Sequence, residues 1–317
     1  MKYIKYGSGA VIIAALLWSL DGVLRRNLYS LPPSVVVFWE HIFGLALITP
    51  IILSSLKAFK KLTRKQWVAI TGVSFLSGAL GTILYTAALG KIQYIPFSVV
   101  VLLQLLNPIF AVITAGLLLH EPLTKKFFGL AAVAMVGAYI VSFPGFTVNF
   151  STGNGTLVAA LFALGAAACW GTSTAFSKYA LKDTSSLHIT AARFGITPIF
   201  ALMFVVLSGS TGSLTALTGT QLKYIVAITF SAGLVAMAIY YFGLKRIPAS
   251  RSEMLELAWP LSAVFVGYAF LEQSLTLTQI VGALILAGAI YLIARDAQEV
   301  ATSKLSKPLN SSKAVAK

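Results

Sequence analysis

Long apolar runs separated by brief polar clusters set the pattern of this chain from end to end. A helix that crosses hydrocarbon needs about 20 mostly apolar residues. Ten runs come close to that length: 9–28, 33–53, 67–89, 96–119 and 126–141, then 155–181, 187–207, 222–244, 248–270 and 277–294. Connections are short, and only 142–154, 208–221 and the tail beyond Arg295 read as loose. The first run follows MKYIKY and has the look of a signal peptide. No small-residue cleavage site follows it, however, and it has a counterpart later in the chain, so it is expected to be retained as a span.

That counterpart belongs to a duplication. AALLWSLDG in the first run aligns with GAAACWGTS in the sixth, bringing Trp18 onto Trp170. FGLALITPI in the second matches FGITPIFAL in the seventh, and LTRKQW before the third matches LTGTQL before the eighth. LLQLLNPIFAV in the fourth matches MLELAWPLSAV in the ninth, bringing Pro108 onto Pro260. The period is about 152 residues. Each copy holds five spans, an odd number, so the second copy enters the membrane from the opposite side. The predicted fold is therefore an all-α membrane protein, ten transmembrane helices in two inverted five-helix repeats, an architecture used by transporters. The repeats are placed at 1–145 and 150–296, followed by a basic cytoplasmic tail at 297–317.

The chain carries 24 Lys and Arg against 9 Asp and Glu, a net charge of +15. With the N-terminus inside, nineteen of these bases fall on the cytoplasmic side, and only Arg25, Arg26, Lys91 and Lys223 fall outside, with Arg193 within a span. That asymmetry predicts a multi-pass protein of the cell (inner) membrane with both termini cytoplasmic. It also accounts for the basicity without nucleic acid. The tail is expected to lie solvated near anionic lipid. One cysteine, Cys169, excludes an internal disulfide and a multi-cysteine metal site. It is expected to be a packing residue.

These features together resemble the drug/metabolite transporter superfamily, in particular its ten-helix members built from two EamA-type repeats. The resemblance rests on the Trp18 and Trp170 helices, the paired proline helices, and the stretches HEPLT and LEQSLT that follow them. It covers about residues 9–294. It implies alternating-access movement of small metabolites, such as amino acids or related amphipathic compounds, in either direction; export is the expected one, and no cofactor is expected. Members typically carry Glu-Pro in the proline helices. Here the pairs are Asn107-Pro108 and Trp259-Pro260, so no carboxylate is carried over at those positions.

Ionisable groups within a span cost several kcal/mol and should face a cavity or a partner. An outer group comprises Asp21 and Arg25, Glu40 and His41, and Gln104 and Asn107. Asp21 and Arg25 lie four apart on one helical face, the favoured order for an ion pair. Arg25 and Arg26 can instead snorkel to the outer interface. An inner group comprises Arg193, Glu253 and Glu256, with Arg193 the expected partner of Glu256. One arginine cannot neutralise two carboxylates on one face, which leaves a group able to bind a proton or a cationic substrate. Alternatively, Glu253 pairs with Arg251 or Lys245. Pro260 deprives the Glu256 carbonyl of its helical partner, and Pro108 does the same to Gln104, so both helices are expected to kink at a polar residue. Trp18, Trp170, Tyr85, Tyr240, Tyr241 and Trp259 are candidate cavity walls. Within their apolar stretches, past Lys126 at the edge of the fifth, the fifth and tenth runs hold small residues (Gly129, Gly137, Gly282, Gly288) and no charged group. That composition suits scaffold packing or the contact of a homodimer, with a monomer the alternative.

Catalytic signatures are absent from the sequence: there is no G-x-S-x-G elbow, no H-E-x-x-H pair and no phosphate loop. An intramembrane enzyme is thereby disfavoured. A passive channel or a membrane receptor is the alternative to a carrier whose partners are a small-molecule substrate, the bilayer and, through Glu256, a coupling proton.

Overall fold

Helices are what these runs must form, because hydrocarbon offers backbone N–H and C=O groups no partner other than one another. The computed structural model of the chain describes residues 2–91, 100, 103–146, 156–262 and 276–306. The loop at 147–155, the first part of the fourth run, the far half of the ninth with most of LEQSLT, and the tail from 307 lie outside the described residues.

Ten helices run through the described residues. The first repeat holds α1 (Lys2–Trp18), prolonged past a turn by Asp21–Arg25, then α2 (Pro33–Phe59), α3 (Arg64–Leu89), α4 (Asn107–Leu119) and α5 (Lys125–Ser142). The second holds α6 (Thr156–Ala180), α7 (Ser186–Leu207), α8 (Gly219–Leu244), α9 (Ala249–Glu256) and α10 (Leu277–Ser306). Eight are long and apolar enough to cross a membrane, and α4 is a shorter apolar helix. No strand occurs among the described residues. Apolar side chains such as Leu117, Leu277 and Leu284 lie outermost, more than two-thirds exposed, as a lipid-facing surface requires.

The duplication is visible in local detail. Thr63 and Thr218 each accept from the backbone N–H three residues on, and Gln66 and Gln221 reach back, so α3 and α8 open on matching capping boxes. Each of these helices then widens into a π-turn, Ser74–Gly81 and Thr229–Gly233. The proline helices break just ahead of their prolines, at Leu105–Leu106 and at Leu257. Pro108 and Pro260 then sit in the first turn of the next helical piece, where a missing N–H costs nothing.

The two repeats interlace. The main neighbours of α1 and α2 are α8 and α7, α3 and α4 pack on α6, and α5 pairs with α10. The α5–α10 contact explains two of the four glycines noted in the sequence. A Cβ at Gly137 would stand 2.8 Å from the Leu286 backbone nitrogen, and one at Gly282 would stand 2.7 Å from that of Val141. Gly137→Leu is therefore expected to push the helices apart and lower the thermal unfolding midpoint of the detergent-solubilised protein. Gly288→Ala, with open space around its Cβ, should leave that midpoint unmoved.

Helix α1 starts earlier than expected, at Lys2, and α2 ends later, at Phe59, but the boundary that differs most is the end of α10. The region after Arg295 reads as the start of a loose tail, yet α10 continues to Ser306. Ala297 is fully buried and Glu299 pairs with Lys126 of α5 at 2.9 Å, which tethers the added turns.

Candidate functional site

A cavity of about 210 Å³ lies between the two repeats. Its wall includes Trp18, Asp21 and Arg25 of α1, Glu40 and His41 of α2, and Ser77, Thr82 and Tyr85 of α3. Gln104, Asn107 and Pro108 approach from the α4 break, and Trp170, Ser173, Thr174 and Ser177 from α6. Arg193 and Phe194 of α7, Met237 and Tyr240 of α8, and Glu253, Glu256, Trp259 and Pro260 around α9 complete it. The sequence-predicted site residues thus meet the same space, except Tyr241, which does not line the cavity and stands behind it on Ser177 and Arg193. The described parts of α5 and α10 contribute none.

The outer group is a buried triad. Arg25 donates from Nε to Asp21 Oδ2 at 2.5 Å and from Nη2 to Glu40 Oε2 at 2.7 Å, and its Nη1 reaches Thr86 Oγ1 at 3.2 Å. Arg25 is only 3% exposed, so it does not snorkel outward. The His41 ring nitrogen Nδ1 lies 2.9 Å from the Val37 carbonyl, and the ring stacks on Phe194 at 5.2 Å. Gln104 donates to the Ala163 carbonyl at 2.7 Å and so ties α4 to α6.

The inner group is arranged differently from the sequence expectation. Arg193 does not pair with Glu256. It donates to Tyr241 Oη at 3.1 Å and to Ser77 Oγ at 2.9 Å, with Met237 Sδ at 2.9 Å. Alignment of the repeats fixes how deep Arg193 lies but not which way it points, and it points at the π-turn of α3. Nor do the nearby bases reach Glu253: Arg251 binds Asp296 at 3.1 Å and the Pro122 carbonyl at 2.7 Å, and Lys245 binds the Thr184 carbonyl at 2.6 Å. Glu253 instead accepts from Thr174 Oγ1 at 2.9 Å, and Tyr240 bridges from Thr174 (3.3 Å) towards Glu256.

Aromatic rings close the cavity in matched cross-repeat pairs. Trp18 meets Tyr240 and Trp170 meets Tyr85, both at 5.1 Å. Trp170 Nε1 also donates to the Ser77 carbonyl in the π-turn at 3.3 Å. Polar capacity is left over around these rings. Among the described residues, Asp21 Oδ1, Asn107 Oδ1, Glu253 Oε1, Glu256 Oε1 and Arg193 Nε are buried atoms with no protein partner. Such atoms are costly unless a guest satisfies them.

Residues overlooked in the sequence include Ser77, Thr174 and Ser177. Trp170, Ser173, Thr174 and Ser177 recur at helical spacing on one face of α6, a signal that was available. Glu121 was also overlooked. His120 closes α4 in the left-handed conformation (φ 49°), and the next side chain turns onto the start of α9. Glu121 accepts there from Ala249 N at 2.6 Å, Ser250 N at 2.9 Å and Ser250 Oγ at 2.6 Å.

Comparison with known proteins agrees with this architecture. The model of the EamA-like transporter family matches residues 5–143 and again 157–295. The riboflavin transporter ImpX of Fusobacterium nucleatum is 33% identical over 293 residues, covering 91% of this chain and 97% of its own. A riboflavin transporter of Brucella anthropi is 22% identical over 67% of this chain and 69% of its own. A solved crystal structure shares the fold with a TM-score of 0.72 at 16% identity, over 93% of this chain and 98% of that one.

Proposed function

Because this chain belongs to the EamA-like transporter family, we propose that it is an alternating-access carrier for a small, uncharged metabolite with a flat ring and several hydroxyl groups, riboflavin being the leading candidate. The cavity carries the reading: tryptophan–tyrosine pairs flank it, and the unpartnered atoms on its wall are mainly acceptors. Flat rings suit stacking on such walls, and hydroxyl or imide N–H groups suit free acceptors. The names of the relatives in Fusobacterium and Brucella support the same class. Amino acids, the class expected from the sequence, are less well served. Four carboxylates face the space against two arginines, and one of those, Arg25, is already held by two acids. The charge asymmetry of the loops supports an inner-membrane orientation with both termini cytoplasmic.

Purified protein in liposomes preloaded with riboflavin should exchange labelled riboflavin with saturation. Net flux in vesicles of known orientation reads the direction, export being the one expected from the sequence. Trp170→Ala should raise the half-saturating concentration about tenfold, equivalent to ~1.4 kcal/mol. Flux that never saturates would support a channel instead, and no movement of riboflavin would remove the flavin reading.

A further inference from the structure

Among the described residues, two carboxylates in the cavity wall have no basic partner, and the surrounding groups show why. Each element packed against α9 presents its own set. From α1 comes Asp21, engaged with Arg25, and from α4 come the neutral amides of Gln104 and Asn107. From α6 comes Lys178, whose ammonium binds the carbonyls of Leu244, Lys245 and Ile247 at 2.7–2.9 Å. From α8 come the Tyr240 and Tyr241 hydroxyls, and Lys245, turned to Thr184. From α10 comes Asp296, shared by Arg251 and Lys126. Arg193, across the cavity, is held by Tyr241 and Ser77. Among the described residues, Glu253 accepts from a hydroxyl and neither Glu253 nor Glu256 is paired with a base.

The Thr174 and Tyr240 hydroxyls stand in series between the two acids. Thr174 Oγ1 donates to Glu253 and lies 3.3 Å from Tyr240 Oη, which faces Glu256. Glu253 is 1% exposed, with Oε1 unpartnered, whereas Glu256 is partly open to the cavity. Two uncompensated negative charges in so enclosed a place are prohibitive, and neutralisation of one is the ordinary escape. An uncharged substrate cannot supply that neutralisation, but a proton can.

We propose that Glu253 and Glu256, joined through Thr174 and Tyr240, form a proton-binding site whose proton travels with the loaded cavity, so that substrate movement is coupled to proton movement in the same direction. Glu256 exchanges the proton with the cavity, and the Tyr240–Thr174 path shares it with Glu253. The coupling half of this proposal rests on the carrier reading above; the proton site itself does not.

The test reads both parts separately. Infrared difference spectra of the full chain in lipid, taken across a pH titration, should contain a protonated-carboxyl band that Glu256→Gln or Glu253→Gln removes or shifts. The thermal unfolding midpoint of each variant reports folding independently. In wild-type liposomes holding a pH-sensitive dye, added riboflavin should drive a saturating proton flux, and an imposed pH gradient should drive riboflavin accumulation. A wild-type spectrum without the band, or a band unmoved in both folded variants, overturns the site. Riboflavin exchange with no proton flux and no response to the gradient overturns the coupling. A carboxyl band with no riboflavin movement upholds the site and overturns the flavin reading instead.

Discussion

Arg25→Met is expected to cost the folded protein about 3–5 kcal/mol, because it strands two carboxylates at once. In the wild type the guanidinium satisfies Asp21 on its own helix and Glu40 on α2, with Thr86 of α3 as a third partner. All three charged residues are at most 9% exposed. Truncation to an apolar side chain of similar length keeps the volume and removes the positive charge. The measurement is the unfolding midpoint of the purified protein in mild detergent, together with the yield of inserted protein. The companion variant Asp21→Asn/Arg25→Met/Glu40→Gln removes the whole charge set and should recover much of the loss. A single Arg25→Met change that left the midpoint unmoved would show that the triad contributes nothing to stability.

Glu121→Ala is the second large effect. Three donors converge on this carboxylate at 2.6–2.9 Å, two of them backbone N–H groups at the start of α9. A negative charge there also suits the positive end of the helix. Hydrogen bonds to charged groups contribute about 1.5–3 kcal/mol each when measured singly, and losses within one cluster do not add. A destabilisation of about 3 kcal/mol follows, with Glu121→Gln milder because one amide oxygen still accepts. The same change frees the α4–α5 connection from α9, so transport should fall further than stability alone explains. Paired measurements of unfolding midpoint and riboflavin counterflow at a temperature where both proteins remain folded would show this. A transport loss no larger than the loss of folded protein would confine Glu121 to a structural role.

Much of this was legible in the sequence, for reasons that differ by residue. Apolar run lengths gave the helices because membrane thickness is a fixed ruler. The cavity residues stood out because charge and amide groups are expensive in such runs, so their presence already implied a lined space. Direction was harder to read. Arg193 and Glu256 share an inner layer, yet Arg193 faces Tyr241 and Ser77 while Glu256 faces Tyr240. Depth follows from counting residues, but azimuth depends on packing. The π-turns at Ser74–Gly81 and Thr229–Gly233 have no residue signature of their own. They were invisible until the hydrogen bonds of α3 and α8 could be traced. Glu121 lay hidden in a polar connection, where an acid is unremarkable until its partners are known.

Interlacing has a bearing on ancestry. The π-turn of α3 docks on α7, with Ser74 Oγ 3.5 Å from the Arg193 carbonyl, and that of α8 docks on α2, where Thr229 Oγ1 donates to the Glu40 carbonyl at 3.3 Å. Since α1, α2 and α5 each find their main neighbour in the opposite repeat, a lone five-helix unit would leave most of its inner faces bare. A single-repeat forerunner could therefore have persisted only as an antiparallel pair, with the same chain inserted in both orientations. Fusing two such units would free each copy to fix its own charge bias and its own set of side chains. The second copy has the unpaired glutamates of α9, and the first has the arginine-centred triad.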